Sequence, residues 1–500
     1  MSVAQYILAI DQGTTGSRAV VYDKSGQIIA SAYEEFPQYF PHPGWVEHDP
    51  DEIWTSVNHA IQKTLKKIPK ATIAVIGITN QRETTIIWDR ITSKPIYNAI
   101  VWQCRRTAPR CDALKKQQKT LTLFRKITGL PIDAYFSATK IEWILKNISG
   151  ALTKAREGRL LFGTTDSWIL WKLTGGAIHA TDYTNASRTM LFDIKNLTWS
   201  DQILKKFHIP AKILPRVQPS SGFFGKTVKH GLLPAGIPIA GMAGDQQAAL
   251  FGQTCFEPGT IKNTYGTGCF LLLNTGKRRV TSRHGLITTL GCDQKGKHAY
   301  VLEGSVFVAG AAIQWLRDGL NILESAMQSE CMAASVNDNA GVYFVPALVG
   351  LGAPYWDQDA RGSIYGLTRG TTKNHLVRAA LEAMCYQTKD VVLAMQKDSG
   401  LKIKDLRIDG GAVKNNFLCQ FQSDILGIRV IRPKVIETTS LGAAYLAGLA
   451  VHYWKNADEI KKVWKQDHAF HPKRSASLSR ALYQGWLNAV ARTLSSAKTI

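Results

Sequence analysis

The sequence predicts an α/β protein of two domains, each a mixed sheet with helices on its faces. Three observations carry that prediction. A chain of 500 residues is too long for one hydrophobic core and divides into domains of roughly 250 residues. Residues 6–90 read as strands around a single helix. From residue 237 the same grammar begins again: strand, small-residue bend, helix, then strand, bend, strand.

The opening elements follow from pattern. Apolar runs predict strands at 6–10, 18–22 and 28–32, with Asp23-Lys24-Ser25-Gly26 as the turn between the last two. "DPDEIWTSVNHAIQKTLKKI" predicts a helix from Asp49 or Asp51. It has an acidic start, Pro50 near the first turn, and Ile53, Val57, Ile61 and Leu65 at helical spacing. "TIAVIGITNQRETTIIWD" (72–89) then supplies two further strands.

In the second half, "IPIAGMAGDQQAALFG" (237–252) is strand, Gly-Asp bend and helix, and "GTIKNTYGTGCFLLLNTG" (259–276) is strand, turn and strand. Later, "LRIDGGAVKNNFLCQFQSDIL" (406–426) is strand, Gly-Gly bend and helix, and "TSLGAAYLAGLAVHYW" (439–454) is a small-residue helix suited to close packing. The boundary is placed at 252–258, giving domains 1–251 and 252–500.

One stretch asks for a ligand. In "LAIDQGTTGSRAVVYDKSGQIIA" (8–30), Asp11, Gly13, Thr14, Thr15, Gly16 and Arg18 crowd one bend, where an ordinary hairpin is satisfied by two turn residues. Its exposed amides and hydroxyls suit a nucleotide's phosphates. The familiar phosphate motifs are absent. "SSGFFGKT" (220–227) has Ser220 where a P-loop needs glycine, and no Gly-x-Gly-x-x-Gly follows a strand. What remains is a pair of Gly/Thr bends, at 13–16 and 266–268, one in each domain.

Composition narrows the classes. No apolar run approaches a membrane span, and the amino terminus enters a strand after five residues with no leader pattern, so a cytoplasmic, soluble protein is expected. Eight cysteines include no Cys-x-x-Cys pair, which argues for reduced thiols and against zinc. The net charge of +23 allows a nucleic-acid partner. The basic residues, however, are scattered and lack aromatic interleaving, so a solvated basic surface is favoured over a specific nucleic-acid site.

DQGTTGSR, NQRE, YFSATKIEWILKN (135–147), GDQQAALFGQ, NTYGTGCF, GSIYGLTRGTTKNHLVRAALE (362–382) and DGGAVKNNFLCQFQSDILG together resemble the FGGY carbohydrate kinases, and among them the members acting on glycerol. The resemblance spans nearly the whole chain. It implies two ribonuclease-H-like domains of the actin and hexokinase type, with a nucleotide cleft between them that closes on ATP and substrate.

The resemblance also implies roles. Arg82, Glu83, Tyr135 and Asp245, with Gln246 beside it, would bind the hydroxyls of glycerol, and Trp102 and Phe270 are candidate walls for its carbons. Asp245 would be the general base that accepts the hydroxyl proton. Thr14, Thr15, Gly16 and Arg18 would meet the phosphates of ATP, and Thr267, Gly310, Gln314, Gly411 and Asn415 the rest of the nucleotide. Asp11 and Asp245 are the candidates for Mg2+, which takes one or two carboxylates plus phosphate and water. Taken alone, Asp245 could equally be a helix N-cap, Arg82-Glu83 a charged loop tip, and Trp102 or Phe270 core packing.

The expected reaction makes sn-glycerol 3-phosphate and ADP. A kinase of another polyol or ketose is the alternative, and a nucleotide-gated actin-like scaffold a more distant one. The segment "KHGLLPAGIP" (229–238) lacks the arginine of the loop that binds fructose 1,6-bisphosphate in regulated members. His230 is one residue out of register with a position phosphorylated in others, and "HAFHPKRSASLSR" (468–480) lacks the acidic character of a regulator-binding segment. A homodimer or homotetramer is the expected assembly, with no membrane insertion.

Overall fold

Residues 7–10 are apolar on both faces, the mark of a central strand covered from both sides. The structure, a computed structural model, describes residues 5–69 and 72–495. It places Gln5–Gln12 inside a six-stranded sheet ordered Ser221–Lys226, Pro238–Gly244, Thr72–Asn80, Gln5–Gln12, Gly16–Tyr22, Ile28–Glu35. Pro238–Gly244, Thr72–Asn80 and Gln5–Gln12 run parallel, and the other pairings are antiparallel. Helix Pro50–Lys66 links the hairpin strands to Thr72–Asn80. Asp49 caps it by accepting from the Asp51 amide at 2.7 Å, and Pro50 sits where its missing N–H costs nothing.

One strand departs from expectation. Ile86–Asp89 forms, but it leaves the main sheet and pairs with Leu160–Gly163. Both of its faces are buried, by Trp168 and Trp171 among others, so it has a core of its own.

A second sheet has seven strands, ordered Ile287–Cys292, His298–Val306, Cys269–Gly276, Ile261–Tyr265, Asp405–Asp409, Arg429–Pro433, Gln466–Phe470. Here too the centre is parallel: Ile261–Tyr265 with Asp405–Asp409, and that strand with Arg429–Pro433. The long helix Lys373–Ser399 packs into this core.

By contact the chain divides into two units, and the division is not linear. Unit 1 holds residues 1–256, 288–300 and 438–464, and unit 2 holds 257–287, 301–437 and 465–500. The first break falls between residues 256 and 257. The return of 438–464 to unit 1, against the expected assignment of 252–500 to the second domain, has a steric cause. Helix Thr438–Ala450 lies so close to its neighbours that a Cβ on Gly442 would strike the Ala248 carbonyl, and one on Gly77 the Ala443 carbonyl.

All eight cysteines are free, and all but Cys331 are buried. Among the described residues no helix is long and apolar enough to cross a membrane.

Candidate active site

The three parallel strands of unit 1 end together. Asp11 lies opposite Thr79, and Thr79 opposite Ala243. Asp11, the turn 81–84 and Asp245 therefore emerge side by side at the carboxyl edge of the sheet, where open α/β sheets bind their ligands. Two strand spacings set Asp11 and Asp245 roughly 10 Å apart along that edge.

Arg82 is the centre of the cluster. Its side chain is 2% exposed, with Nε 3.1 Å from Asp245 Oδ1 and Nη1 donating to Gln247 Oε1 at 3.3 Å. It is a buried arginine braced against a carboxylate, not a loop tip. Asp245 keeps 31% of its side chain exposed, so a ligand can reach the carboxylate that Arg82 orients. Gln246 adds its own amide N–H to Oδ1 at 2.7 Å and its side-chain amide to Oδ2 at 3.2 Å.

The helix-cap alternative for Asp245 is not what the geometry has. Helix Asp245–Gly252 is N-capped by Gly244, and Asp245 is its first residue. The glycine at 244 has a packing role of its own. A Cβ there would sit 2.8 Å from Arg82 Cγ and Cδ, so the glycine gives space to the arginine.

Glu83 is 1% exposed, with Oε1 3.9 Å from Arg82 Nε on one side and accepting from Arg188 Nε at 2.5 Å on the other. It holds φ at 63°, a left-handed conformation uncommon for a residue with a side chain. Ser137 Oγ ties the Glu83 carbonyl at 3.0 Å. Arg188 also lies over the rings of Tyr135 and Phe136, at 5.5 and 5.3 Å. Lys140, fully buried, donates to the Tyr135 carbonyl at 2.7 Å, and burial pushes its ammonium down to about 8. Tyr135 meets Trp102 edge to face at 5.6 Å, so the expected polyol residues of unit 1 form one contiguous wall. Sequence reasoning missed Arg188, Lys140 and Gln247. Lys140 and Gln247 stand inside the quoted motifs YFSATK and GDQQ, whereas Arg188 in "NASRTM" carries no signal.

The bend at 13–16 closes with the Gly13 amide donating to the Gly16 carbonyl at 2.8 Å. Thr14 Oγ1 accepts from Trp102 Nε1 at 3.0 Å, which joins the 13–16 bend to that wall. Thr15 is exposed and its hydroxyl meets Tyr33 Oη at 3.2 Å. Gly16 admits the Tyr33 ring, 2.5 Å from where a Cβ would stand, and Arg18 lies over that ring at 5.6 Å.

In unit 2, the bend at 266–268 follows the end of Ile261–Tyr265, and Gly410-Gly411 follow the end of the parallel strand Asp405–Asp409. Thr267 is exposed, and its carbonyl accepts from the Ala309 and Ala311 amides at 2.9 and 3.1 Å. Gly310 donates to the Gly266 carbonyl at 3.1 Å, and a Cβ on it would lie 2.6 Å from that oxygen. This glycine is required by the bend itself, whereas Gly411 faces open space. Gln314 is exposed on the helix Gly310–Asp318. Asn415 caps Asn416–Leu426, accepting from the Leu418 amide at 2.9 Å and donating to Ser329 Oγ at 3.2 Å. Phe270, on Cys269–Gly276, pairs in register with Thr264.

Among the described residues no three or more His, Cys, Asp or Glu side chains gather as a metal cage. Two half-exposed carboxylates at a strand edge, Asp11 and Asp245, fit a Mg2+ that brings phosphate and water with it. His230, the residue near a phosphorylated position in others, has Nε2 3.0 Å from the Lys172 carbonyl and its ring against Trp54.

The N-terminal domain of the FGGY family of carbohydrate kinases matches residues 6–252, and its C-terminal domain residues 261–451. The chain belongs to the FGGY family of carbohydrate kinases. It is 58% identical to glycerol kinase 2 of Thermotoga maritima over 98% of this chain and 99% of that protein, and 59% identical to the glycerol kinase of Pseudothermotoga lettingae over 98% of each. The fold superposes on a glycerol kinase from Plasmodium falciparum solved with ADP, with a TM-score of 0.92, 39% identity and 99% of each chain covered. A gluconate kinase from Lactobacillus acidophilus, TM-score 0.87 at 22% identity over 99% of each chain, shares the FGGY fold.

Proposed function

We infer that this FGGY kinase transfers the γ-phosphoryl group of ATP to a terminal hydroxyl of glycerol, giving sn-glycerol 3-phosphate and ADP. The observation that carries the reading is the cluster at the sheet edge: a solvent-reachable Asp245 carboxylate oriented at 3.1 Å by a buried Arg82. Glycerol is small and uncharged, so its recognition needs fixed donors and acceptors with apolar walls. Arg82, Glu83, Asp245 and Gln246 supply the first, and Tyr135 and Trp102 the second. Phe270 is the wall proposed from unit 2.

In the step itself Asp245 takes the hydroxyl proton as the new oxygen–phosphorus bond forms, and the bond to the departing ADP oxygen breaks. The 13–16 bend, with Thr14, Thr15 and Gly16, presents amides and hydroxyls to the phosphates, and Arg18 adds a guanidinium. Thr267, Gly310, Gln314, Gly411 and Asn415 are proposed to meet the remainder of the nucleotide, with Asn415 exchanging its Ser329 bond for the adenine edge. Mg2+, when bound by Asp11 and Asp245, would neutralise phosphate charge.

ATP as substrate and reduced, mostly buried thiols accord with a cytoplasmic setting, and a homodimer or homotetramer is the proposed assembly. The basic surface is proposed to solvate the protein and not to bind a specific nucleic acid. Without an arginine in 229–238, activity should persist in millimolar fructose 1,6-bisphosphate.

The deciding experiment is ADP release measured with ATP alone and with glycerol, xylulose or gluconate. Release that depends on glycerol, with the larger polyols slower, is the expected result. A larger polyol turned over in preference to glycerol overturns the assignment.

A further inference from the structure

A closed ring of hydrogen bonds links the polyol turn to the phosphate bend in unit 1. The Trp102 amide donates to Thr84 Oγ1 at 3.3 Å, and Thr84 Oγ1 to Gln81 Oε1 at 3.0 Å. Gln81 Nε2 reaches His48 Nδ1 at 3.4 Å, His48 Nε2 reaches Gln38 Oε1 at 2.6 Å, and Gln38 Nε2 donates to the Thr14 carbonyl at 3.0 Å. Trp102 Nε1 closes the circuit on Thr14 Oγ1 at 3.0 Å.

The Thr14 carbonyl sets the direction at its end of the long arm, since Gln38 must donate to it and so turns Oε1 toward His48 Nε2. A backbone N–H at Trp102 can only donate, and a backbone carbonyl at Thr14 can only accept. Thr84 Oγ1, accepting from Trp102, gives its own hydrogen to Gln81 Oε1, which turns the Gln81 amide NH2 toward His48. His48 Nδ1 is then the acceptor, and Nε2 carries the proton toward Gln38. The second Gln81 hydrogen is also used, on Gln12 Oε1 at 3.3 Å. In this arrangement the imidazole is neutral with its proton on Nε2. His48 is wholly buried with its ring against Phe36, and burial pushes its imidazole down to about 4, so the neutral form is the one present at neutral pH.

We propose that His48 is a positioning residue for phosphoryl transfer, holding the turn that carries Arg82 and Glu83, and the Trp102 wall, in register with the phosphate bend at Thr14. The proposal rests on the glycerol kinase reading above and adds to it a residue that touches neither substrate. A ring differs from separate contacts in one measurable way. Once it is cut at one bond, cutting it at another removes less, so losses at its two ends are coupled although Gln38 and Thr84 have no contact with each other.

The test is a double-mutant cycle on kcat/KM for glycerol with Gln38→Leu and Thr84→Val, run in the wild type and in His48→Phe. In the wild type the double mutant should lose at least about fivefold less than the product of the single losses. In His48→Phe the losses should multiply to within about twofold. His48→Gln, which can still accept from Gln81 and donate to Gln38, should recover most of the kcat lost in His48→Phe, a rescue that a merely space-filling role would not give.

Gln38 is partly exposed and Thr84→Val keeps the shape of its side chain, so if His48→Phe does not fold, the wild-type cycle alone decides. Multiplicative losses in the wild type overturn the proposal. Wild-type turnover, measured first, separates the two claims. Its absence with glycerol overturns the activity and with it the ring's assignment, and its presence with uncoupled losses overturns the ring alone.

Discussion

The two Gly/Thr bends sit in equivalent places and are held by different means. Each follows a strand flanked by a parallel neighbour, and each closes on an amide-to-carbonyl bond, Gly13 to Gly16 at 2.8 Å and Gly266 to Gly268 at 2.9 Å. In unit 1 the bend is braced mostly by side chains from distant segments, Trp102 and Gln38 on Thr14 and Tyr33 on Thr15, beside one main-chain bond from the Phe36 amide to the Thr15 carbonyl at 3.3 Å. In unit 2 the brace is main chain, three amides from 309–311 bonded to the carbonyls of Gly266 and Thr267. A side-chain brace can be altered a bond at a time, whereas a main-chain brace fails only when a Cβ intrudes. The polyol side should therefore be graded in its response to substitution and the nucleotide side abrupt.

The largest expected effect is on Asp245, the proposed proton acceptor, which keeps 31% of its side chain exposed. Asp245→Asn should lower kcat by about 10²–10⁴ while the fold is kept, because Gly244 is the residue at the cap. The coupled ADP assay reads kcat and a melting curve reads the fold. Unchanged ATP affinity assigns the loss to the proton acceptor and weakened Mg-ATP binding to the metal, and turnover within a few-fold of wild type removes both roles.

Next comes Arg82→Ala. It leaves Asp245 without its guanidinium partner and Gln247 Oε1 without its donor, so kcat/KM for glycerol should fall about ten- to a hundredfold with KM for ATP little changed. Steady-state kinetics in both substrates decide it, and an unchanged glycerol KM would return Arg82 to a structural part.

The comparison is sharpened by Gly310→Ala against Trp102→Phe. The new Cβ would lie 2.6 Å from the Gly266 carbonyl, a backbone atom that cannot turn aside, so KM for ATP should rise about tenfold with glycerol KM near normal. Trp102→Phe removes one hydrogen bond and keeps the wall, and a change of about threefold is expected. Similar small effects from both would erase the distinction between the braces.

Smallest in its consequence at neutral pH is acid stability. The unfolded chain protonates His48 below pH 6.5 and the folded chain only near 4, so the unfolded state binds more protons across that window and stability falls as pH drops through it. Wild type should lose about 2 kcal/mol more than His48→Phe between pH 7 and pH 5, read from urea midpoints. Equal losses would mean that His48 is not held neutral.

The local pattern was enough for much of this protein. Continuous apolar runs specified the central strands, Asp49-Pro50 the first helix, and the crowding of Gly and Thr both bends, because each depends on residues within a few positions of one another. Motif resemblance added Arg82, Glu83, Tyr135 and Asp245. Tertiary structure alone decided how those residues are held. Arg188 reaches Glu83 across 105 positions, and the His48 ring gathers Thr14, Gln38, the turn 81–84 and Trp102. Gly244 serves Arg82, and Gly310 serves the carbonyl of Gly266. The return of 438–464 to unit 1 likewise depends on glycines packed against carbonyls hundreds of residues away. Such contacts follow from the mutual approach of surfaces, which no local spacing encodes, whereas strand, cap and bend follow from the few backbone angles and hydrogen-bond partners each short segment has available.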